Sequence, residues 1–372
     1  MPKKHSFMIC AVYCVLVVAL SVLIFVPKSD FSPRENRILA TMPRLTADSL
    51  ANGEFTRRFS NYCTDRFPFR DSLLSLDSSF ELALGRLEAK GVMAGQDHNL
   101  IKRLEYTDLS TLDKNLEGIE NIRLTAENEG INTVFFCAPR AVDVLCDFCP
   151  PLFDTVHSGQ VWKHIKTAET ATQALRELAT EGKYVFYRTD HHWTSLGAYC
   201  TYRRLGASLG YFPIELANFS PQEVCTDFFG TTYSAALLPL VTPDTITLLR
   251  YHGDTELKVT DVMTERELTL YDFSALEGSS KYDIFLGGNR AILRIESQNR
   301  PELVIIKDSF ANSLIPLLAA HYNITAVDPR YLRAPLDETL ASLYAAHRPD
   351  HILILFGIDT LTEEIGVGES YK

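Results

Sequence analysis

Six short runs of β-branched and aromatic residues constrain this chain more than any other feature. They are INTVFFCAP (Ile131–Pro139), KYVFYRT (Lys183–Thr189), YDIFLGG (Tyr282–Gly288), ELVIIKDS (Glu302–Ser309), ITAVD (Ile324–Asp328) and HILILFG (His351–Gly357). Continuous apolar strands of this kind are buried on both faces, unlike the alternating strands of a sheet with one wet face. Helical spacing fills most of the intervals. Leu112, Leu116, Ile119 and Ile122 mark a helix over Leu109–Glu129 that stops before Gly130, and Val161–Thr180 and Thr194–Leu209 read as two more. Strands alternating with helices predict an α/β fold with a mostly parallel sheet flanked by helices. Residues 218–280 break the rhythm with the alternating, threonine-rich strings TITLLRYH, ELKVTDV and ELTLYDF. They read as a β-rich insertion.

The N-terminus adds a second constraint. MPKKHS carries two lysines, and Phe7–Val26 follows with no charged residue. Twenty helical residues reach ~30 Å, the thickness of a bilayer's hydrocarbon core. Lysines before the run and no strong basic cluster after it predict an N-in, C-out anchor. A cleaved signal peptide is the alternative, but its apolar region is normally shorter and ends in small residues, whereas this run ends in Leu-Ile-Phe-Val-Pro. The expected organisation is a membrane anchor over 1–27, an extended linker over 28–60 and the main domain over 61–372. The chain would be a single-pass protein of the cell membrane with its bulk outside the cytoplasm.

A net charge of −11 argues against nucleic acid as a partner, because phosphate recognition needs a cationic surface. Cys10 and Cys14 fall in the apolar run, leaving Cys63, Cys137, Cys146, Cys149, Cys200 and Cys225. An outside location permits disulfides, but their pairing is unreadable from one sequence. Cys146 and Cys149 have C-x-x-C spacing without a second such pair.

In open α/β sheets ligands sit beyond the carboxyl ends of the strands. Three strand-end strings carry polar chemistry: Asp190-His191-His192-Trp193, Gly287-Gly288-Asn289 and Lys307-Asp308-Ser309-Phe310-Ala311-Asn312. Ser309 lies between a strand and a helical run, SLIPLLAAHY, where backbone N–H groups can stabilise an oxyanion. The bland alternative is a helix cap. A serine nucleophile needs an imidazole base, and the imidazole needs a carboxylate to fix its tautomer. Asp190 and His192 offer that pair on one turn, a spacing similar to the acid–base pair of the SGNH hydrolases, and Thr194 would cap the helix that follows. Gly288, Asn289 and Asn312 are candidate oxyanion donors, with a turn glycine the plain reading of Gly288. Arg140, Arg66 and Arg70, together with Arg330 after ITAVD, are candidate substrate contacts. A structural ion pair with Asp65 or Asp71 is the competing role for Arg66 and Arg70. Metal hydrolysis by Asp190, His191 and His192 is disfavoured, because adjacent side chains point to opposite sides of an extended chain. No metal and no cofactor is expected.

TDHHWTSLGAY, FSPRENRILATMP, TDRFPFRDSL, KYDIFLGGN and VIIKDSFAN together resemble the DHHW family of bacterial cell-surface proteins, over about Phe31 to Gly357. That family is similar in turn to the SGNH-like acetyltransferase domains that O-acetylate alginate. The resemblance implies Ser309 as nucleophile, His192 as base and Asp190 as its orienting acid. His191 is a departure from the single histidine usual in the alginate enzymes, with substrate contact, loop orientation or no role all open to it. The implied function is a serine O-acetyltransferase or acetylesterase acting on a cell-envelope polysaccharide, supplied by a separate membrane exporter of acetyl donor. The alternative is a noncatalytic carbohydrate-binding or scaffold protein that keeps the fold. The two separate on whether the Ser309 hydroxyl lies within hydrogen-bond reach of His192.

Overall fold

Neighbouring residues of Glu302–Lys307 face opposite cores. Leu303 and Ile305 join one apolar cluster with Phe136, Leu353, Ala198 and Leu205, while Val304 and Ile306 join another with Phe135, Ile354, Ile119 and Leu340. A strand with period-two side chains and helices over both faces must be apolar throughout, which accounts for the uninterrupted runs. The computed structural model describes residues 2–26, 29–32, 34–35, 37–103, 109–145, 149, 156–239, 241–251, 257–297, 299–364 and 366–370. They form two units, Met1–Lys90 with Tyr233–Leu240, and Gly91–Thr232 with Val241–Lys372.

The second unit is built on a seven-stranded sheet. Its strands are β1 (Asn132–Ala138), β2 (Lys258–Asp261), β3 (Arg266–Leu268), β4 (Ile292–Glu296), β5 (Glu302–Lys307), β6 (Asn323–Val327) and β7 (His351–Gly357), in the order β3-β2-β4-β6-β5-β7-β1. Pairs β6–β5, β5–β7 and β7–β1 are parallel, whereas β4–β6, β2–β4 and β3–β2 are antiparallel. The sheet is therefore mixed, which corrects the mostly parallel expectation. β2 and β3 are joined by the tight turn 262–265, which reverses the chain, and β4 runs antiparallel to both of its neighbours, β2 and β6. Two of these strands come from the 218–280 stretch. Part of that stretch thus belongs to the central sheet, and Phe219–Phe228 and Asp244–Tyr251 pair separately as an antiparallel hairpin.

Other sequence readings also change. Lys183–Thr189 is not a sheet strand. It makes one bridge, Phe186 to Trp193, as the outgoing arm of a narrow hairpin, and Val185, Phe186 and Tyr187 are apolar because they are buried. Tyr282–Gly288 is a 3-10 turn followed by three left-handed residues, Leu286, Gly287 and Gly288 (φ 64°, 68° and 85°), a path no strand can take. The helix expected over Val161–Thr180 is two, Val156–His164 and Thr172–Thr180. Between them Glu169 exchanges backbone hydrogen bonds with Phe135 and Cys137 (2.9 and 3.0 Å), covering the β1 edge.

The first unit holds the apolar helix α1 (Pro2–Ile24). Its window His5–Ile24, with mean hydropathy 2.9 and no buried residue, is long and apolar enough to cross a bilayer, a test that signal sequences also pass. Residues 28–60 are not an extended linker where described. They include the strand pair Phe31–Ser32 with Arg37–Ile38 and the helices Ala47–Ala51 and α2 (Glu54–Asp65), followed by α3 (Arg70–Ala83). The overlooked signals are a capping box, in which Thr46 Oγ1 accepts from Ser49 N (3.1 Å), and an Arg37–Asp65 ion pair at 2.5 Å. Cys146 lies outside the described residues, so the C-x-x-C reading does too. Cys10, Cys14, Cys63, Cys137, Cys200 and Cys225 form no disulfide among the described residues.

Buried Asn115, on the helix Ser110–Asn128, holds the chain that follows β7. Its amide donates to the Leu361 and Glu364 carbonyls (2.9 and 2.8 Å) and accepts from Val367 N and Gly368 N (3.2 and 3.0 Å). Asn115→Ala strips four backbone groups of their partner and is expected to lower unfolding free energy by ~2–4 kcal/mol, measured by urea titration in detergent.

Candidate active site

Strand β5 ends where a buried carboxylate ends it. Asp308 Oδ1 accepts from Phe310 N (2.9 Å), which caps the 3-10 turn Ser309–Ser313, and Oδ2 accepts from Gly357 N and Thr360 Oγ1 (both 2.7 Å). The turn is thus tied to the end of β7. Gly357 is required there, since a Cβ would sit 2.7 Å from the Phe310 ring. Ser309 emerges half-buried, and its backbone N–H has no acceptor among the described residues.

Asp190 and His192 occupy the tip of the hairpin whose arms close through Thr194 N to Val185 O (2.9 Å) and Tyr187 N to His192 O (3.2 Å). Buried Asp244 fixes that tip: its carboxylate accepts from Arg188 N (2.9 Å), Thr189 N (2.8 Å) and Thr189 Oγ1 (2.5 Å), and from Tyr184 OH. Burial pushes the Asp244 carboxyl up, against those donors. Thr194 caps the next helix, Ser195–Leu209, as its position in the sequence suggests, accepting from Gly197 N at 3.3 Å.

The two elements meet at one imidazole. His192 Nδ1 lies 2.6 Å from Asp190 Oδ1, and Nε2 lies 2.8 Å from Ser309 Oγ. A carboxylate only accepts, so Nδ1 carries the proton in the neutral ring and Nε2 is left to accept from the Ser309 hydroxyl. Thr231 satisfies the other Asp190 oxygen through N–H (2.8 Å) and Oγ1 (3.0 Å). Burial opposes ionisation of Asp190, but the two imidazoles and these hydrogen bonds hold its carboxyl well below the usual range. Tyr282 stacks on the His192 ring at 4.0 Å and 7°, and donates to Ser313 Oγ (3.2 Å), which also accepts from Trp193 Nε1 (3.0 Å). The ring is therefore held at both nitrogens and across one face.

His191 does not point away from His192, as an extended chain would require. At this turn the rings lie 3.8 Å apart, and His191 Nδ1 is 2.6 Å from Thr231 Oγ1. Burial and the neighbouring imidazole push its pKa down to about 4. Donor atoms of Asp190, His191 and His192 lie within 4.8 Å of one another, a spacing compatible with a metal ion, although both His192 nitrogens are already engaged.

The candidate oxyanion donors separate. Gly288 N–H is taken by Phe285 O (3.1 Å), and a Cβ at Gly288 would lie 2.9 Å from the Asp283 carboxyl, so this is a turn glycine. Asn312 is buried and occupied on both sides: its Oδ1 accepts from Lys307 Nζ (2.6 Å) and its Nδ2 donates to Asn289 Oδ1 (3.1 Å). Asn289 Oδ1 also accepts from Lys307 Nζ at 3.3 Å, which leaves Asn289 Nδ2 without an acceptor among the described residues. Burial lowers the Lys307 pKa to about 8, with Asp328 at 3.9 Å acting the other way.

None of the four arginines is a free cation. Arg140 donates to Asp143 (3.0 Å) at the end of β1, and Arg330 to Asp328 (2.8 Å). Arg66 and Arg70 belong to the other unit and pair with Asp30 and Glu35, not with Asp65 or Asp71. Sequence reasoning missed Thr231, Asp244, Gly230 and Tyr282, all supplied by segments read as insertion or strand.

Comparison with known proteins first defines the class. The family model described as SGNH hydrolase-like domain, acetyltransferase AlgX, matches residues 92–234. The family model for DHHW protein matches residues 173–327. Over these residues the chain is similar to DHHW proteins and to SGNH hydrolase-like acetyltransferase domains. A DHHW family protein from Eubacterium siraeum superposes with TM-score 0.60 at 19% identity, covering 76% of this chain and 95% of that one. Bacillus cereus PatB1 superposes with TM-score 0.62 at 16% identity, covering 76% and 99%, and has also been solved with a sulfonyl adduct. These likenesses establish the fold. In sequence, "Probable alginate O-acetylase AlgJ" of Pseudomonas fluorescens is 25% identical over 192 residues, 48% of each chain, so the match spans about half the relative's length.

Two outcomes follow from the packing. A Cβ at Gly230 would lie 2.2 Å from Asp190 Cβ, so Gly230→Ala is expected to displace the carboxylate and cost ~2–3 kcal/mol in thermal unfolding. For Lys307, a folded pKa of about 8 lies below the unfolded 10.5, so the unfolded chain binds more protons between those values. The wild type should gain stability relative to Lys307→Met as pH rises from about 8 to 10.5, by on the order of 3 kcal/mol. Paired melting curves across that range check the sign.

Proposed function

We propose that this chain is an extracytoplasmic serine O-acyltransferase or acetylesterase acting on a cell-envelope polysaccharide. The observation that carries the reading is the continuous chain of hydrogen bonds Asp190–His192–Ser309, at 2.6 and 2.8 Å. Its order and geometry suit a general base that takes a proton from a hydroxyl nucleophile. Ser309 Oγ attacks the acetyl carbonyl while its proton passes to His192 Nε2. Asp190 stabilises the imidazolium, and the leaving group departs with that proton. In the second half a sugar hydroxyl, or water, gives its proton to His192 and attacks the acyl-serine, releasing the acetylated product and restoring Ser309. The tetrahedral oxyanion is assigned to Ser309 N–H and Asn289 Nδ2, two donors with no acceptor among the described residues. Similarity to proteins named for alginate O-acetylation supports a polysaccharide acceptor.

The apolar helix α1 serves in this reading as a single-pass anchor, with the rest of the chain outside. A donor of activated acetyl groups is not available outside the cell without transport, so a membrane exporter is the implied partner.

The test uses full-length protein in detergent with a chromogenic acetyl ester. Ser309→Ala and His192→Ala should each lower kcat/KM by roughly 10³-fold or more. An alkylsulfonyl fluoride should add to the peptide containing Ser309, and the His192→Ala protein should label far more slowly. Equal ester turnover by wild type and Ser309→Ala would retire the acyl-transfer reading and leave a carbohydrate-binding or scaffold role on the same fold.

A further inference from the structure

Helix α3 is inside out. Phe69, at its N-cap, and Leu73, Leu76, Phe80 and Leu84 recur at spacings of three and four, which places them on one face. That face is exposed: relative accessibilities are 72% for Phe69, 47% for Leu73, 65% for Leu76, 63% for Phe80 and 66% for Leu84. The opposite side carries Ser78, fully buried, whose Oγ donates to Ala236 O at 2.6 Å. A helix that buries serine and exposes two phenylalanines and three leucines is set against water, and a contiguous apolar surface of this kind marks a contact with something apolar.

The neighbouring structure says what that is. Phe25, one residue past the end of α1, stacks on Phe59 (6.5 Å, 28°) and contacts the Tyr62 ring at 6.3 Å; Phe59 in turn stacks on Phe55 at 5.6 Å. This aromatic ladder runs along α2 from the point where the apolar helix ends, the level at which aromatic side chains gather at a membrane–water boundary. Ile24 of α1 and Leu73 and Leu74 of α3 line the same cleft, with Cys63 and Phe67. The stripe on α3 therefore starts at the exit of α1 and continues for about four turns, ~22 Å. Charge is compatible with lipid. Residues 29–90 hold nine Lys/Arg and nine Asp/Glu, so the acidity of the chain, −11 overall, lies elsewhere, and this segment is not repelled by anionic headgroups.

We propose that α3 lies on the bilayer that α1 enters, with Phe69, Leu73, Leu76, Phe80 and Leu84 buried at the headgroup–acyl boundary. The chain then contacts lipid through a transverse helix and an interfacial one, and the second contact orients the first unit on the membrane surface. This rests on the reading of α1 as a retained anchor, and the experiment separates the two.

Full-length protein is reconstituted in phosphatidylcholine:phosphatidylglycerol vesicles containing a phospholipid with a diazirine in its acyl chain, photolysed, and the lipid adducts are mapped by mass spectrometry. Adducts are expected on residues 5–24 and on residues 69–84. Leu76→Glu/Phe80→Glu should cut the 69–84 adducts at least about tenfold, from the lost transfer of two large apolar side chains, while leaving the 5–24 adducts and the thermal midpoint unchanged. Adducts confined to 5–24 overturn the proposal and keep the anchor. Cross-linking of the 69–84 stripe to a second copy, without lipid adducts there, also overturns it and assigns the face to self-association. Adducts on 69–84 alone support the surface contact and remove the anchor, and adducts on neither segment overturn both.

Discussion

Asp190 is 2% exposed, and a carboxylate that dry stays ionised only while its oxygens are met by donors. One oxygen receives His192, from both backbone and ring, and the other receives Thr231 from both backbone and hydroxyl. These four bonds do more than solvate a charge. They fix the hairpin tip, they set the His192 tautomer, and through it they decide that the far ring nitrogen is an acceptor. Everything at Ser309 follows from that proton, since a hydroxyl facing an N–H could not be activated. The cost of burying Asp190 is thus offset by groups that leave one basic position, and that position is the one aimed at the serine.

The serine side of the arrangement depends on the sheet. Parallel neighbours β7 and β1 end level, with Gly357 beside Ala138, and β5 ends beside them with Lys307 opposite Leu355, so the residues beyond all three share one edge. Asp308 converts that register into a fixed turn by bonding across to Gly357 and Thr360. The imidazole arrives from a segment 117 residues earlier, on a loop held by Asp244 rather than by any strand of the sheet. Two rigid supports with separate anchors meet across a single hydrogen bond. Such an arrangement is sensitive to small displacements of either support, which gives Tyr282, stacked over the His192 ring, its structural importance.

What the sequence disclosed and what it hid divide along physical lines. Uniform burial left a clear trace in INTVFFCAP, ELVIIKDS, ITAVD and HILILFG, and all four are strands. The same trace misled at KYVFYRT and YDIFLGG, where burial came from packing beneath loops and the backbone was a hairpin arm or a left-handed turn. Apolar composition reports exclusion from water, not backbone conformation. Asp190, His192 and Ser309 could be singled out because their chemistry is rare at strand ends, and the structure brings the three together. Thr231 and Asp244 could not, because a lone threonine or aspartate in a polar stretch carries no mark of the loop it will hold. The arginines illustrate the converse: Arg66, Arg70, Arg140 and Arg330 looked available for substrate only while their carboxylate partners, Asp30, Glu35, Asp143 and Asp328, were unplaced.

Lys307 shows what a costly residue can do beside the candidate site. An ammonium at 2% exposure is disfavoured by burial, and a methionine of similar length would avoid that desolvation. An ammonium, however, has donors only. Asn312 must therefore turn its oxygen toward Lys307, its nitrogen then faces Asn289, and Asn289 must answer with its own oxygen. One charge sets the sense of two amides in sequence, and the free N–H₂ of Asn289 is the result. Amide side chains flipped by 180° are otherwise nearly equal in shape, so packing alone cannot choose between presenting a donor and presenting an acceptor. In the acyl-transfer reading that choice separates an oxyanion donor from a group that would repel the oxyanion, and electrostatics of this kind is available only from a residue that cannot accept.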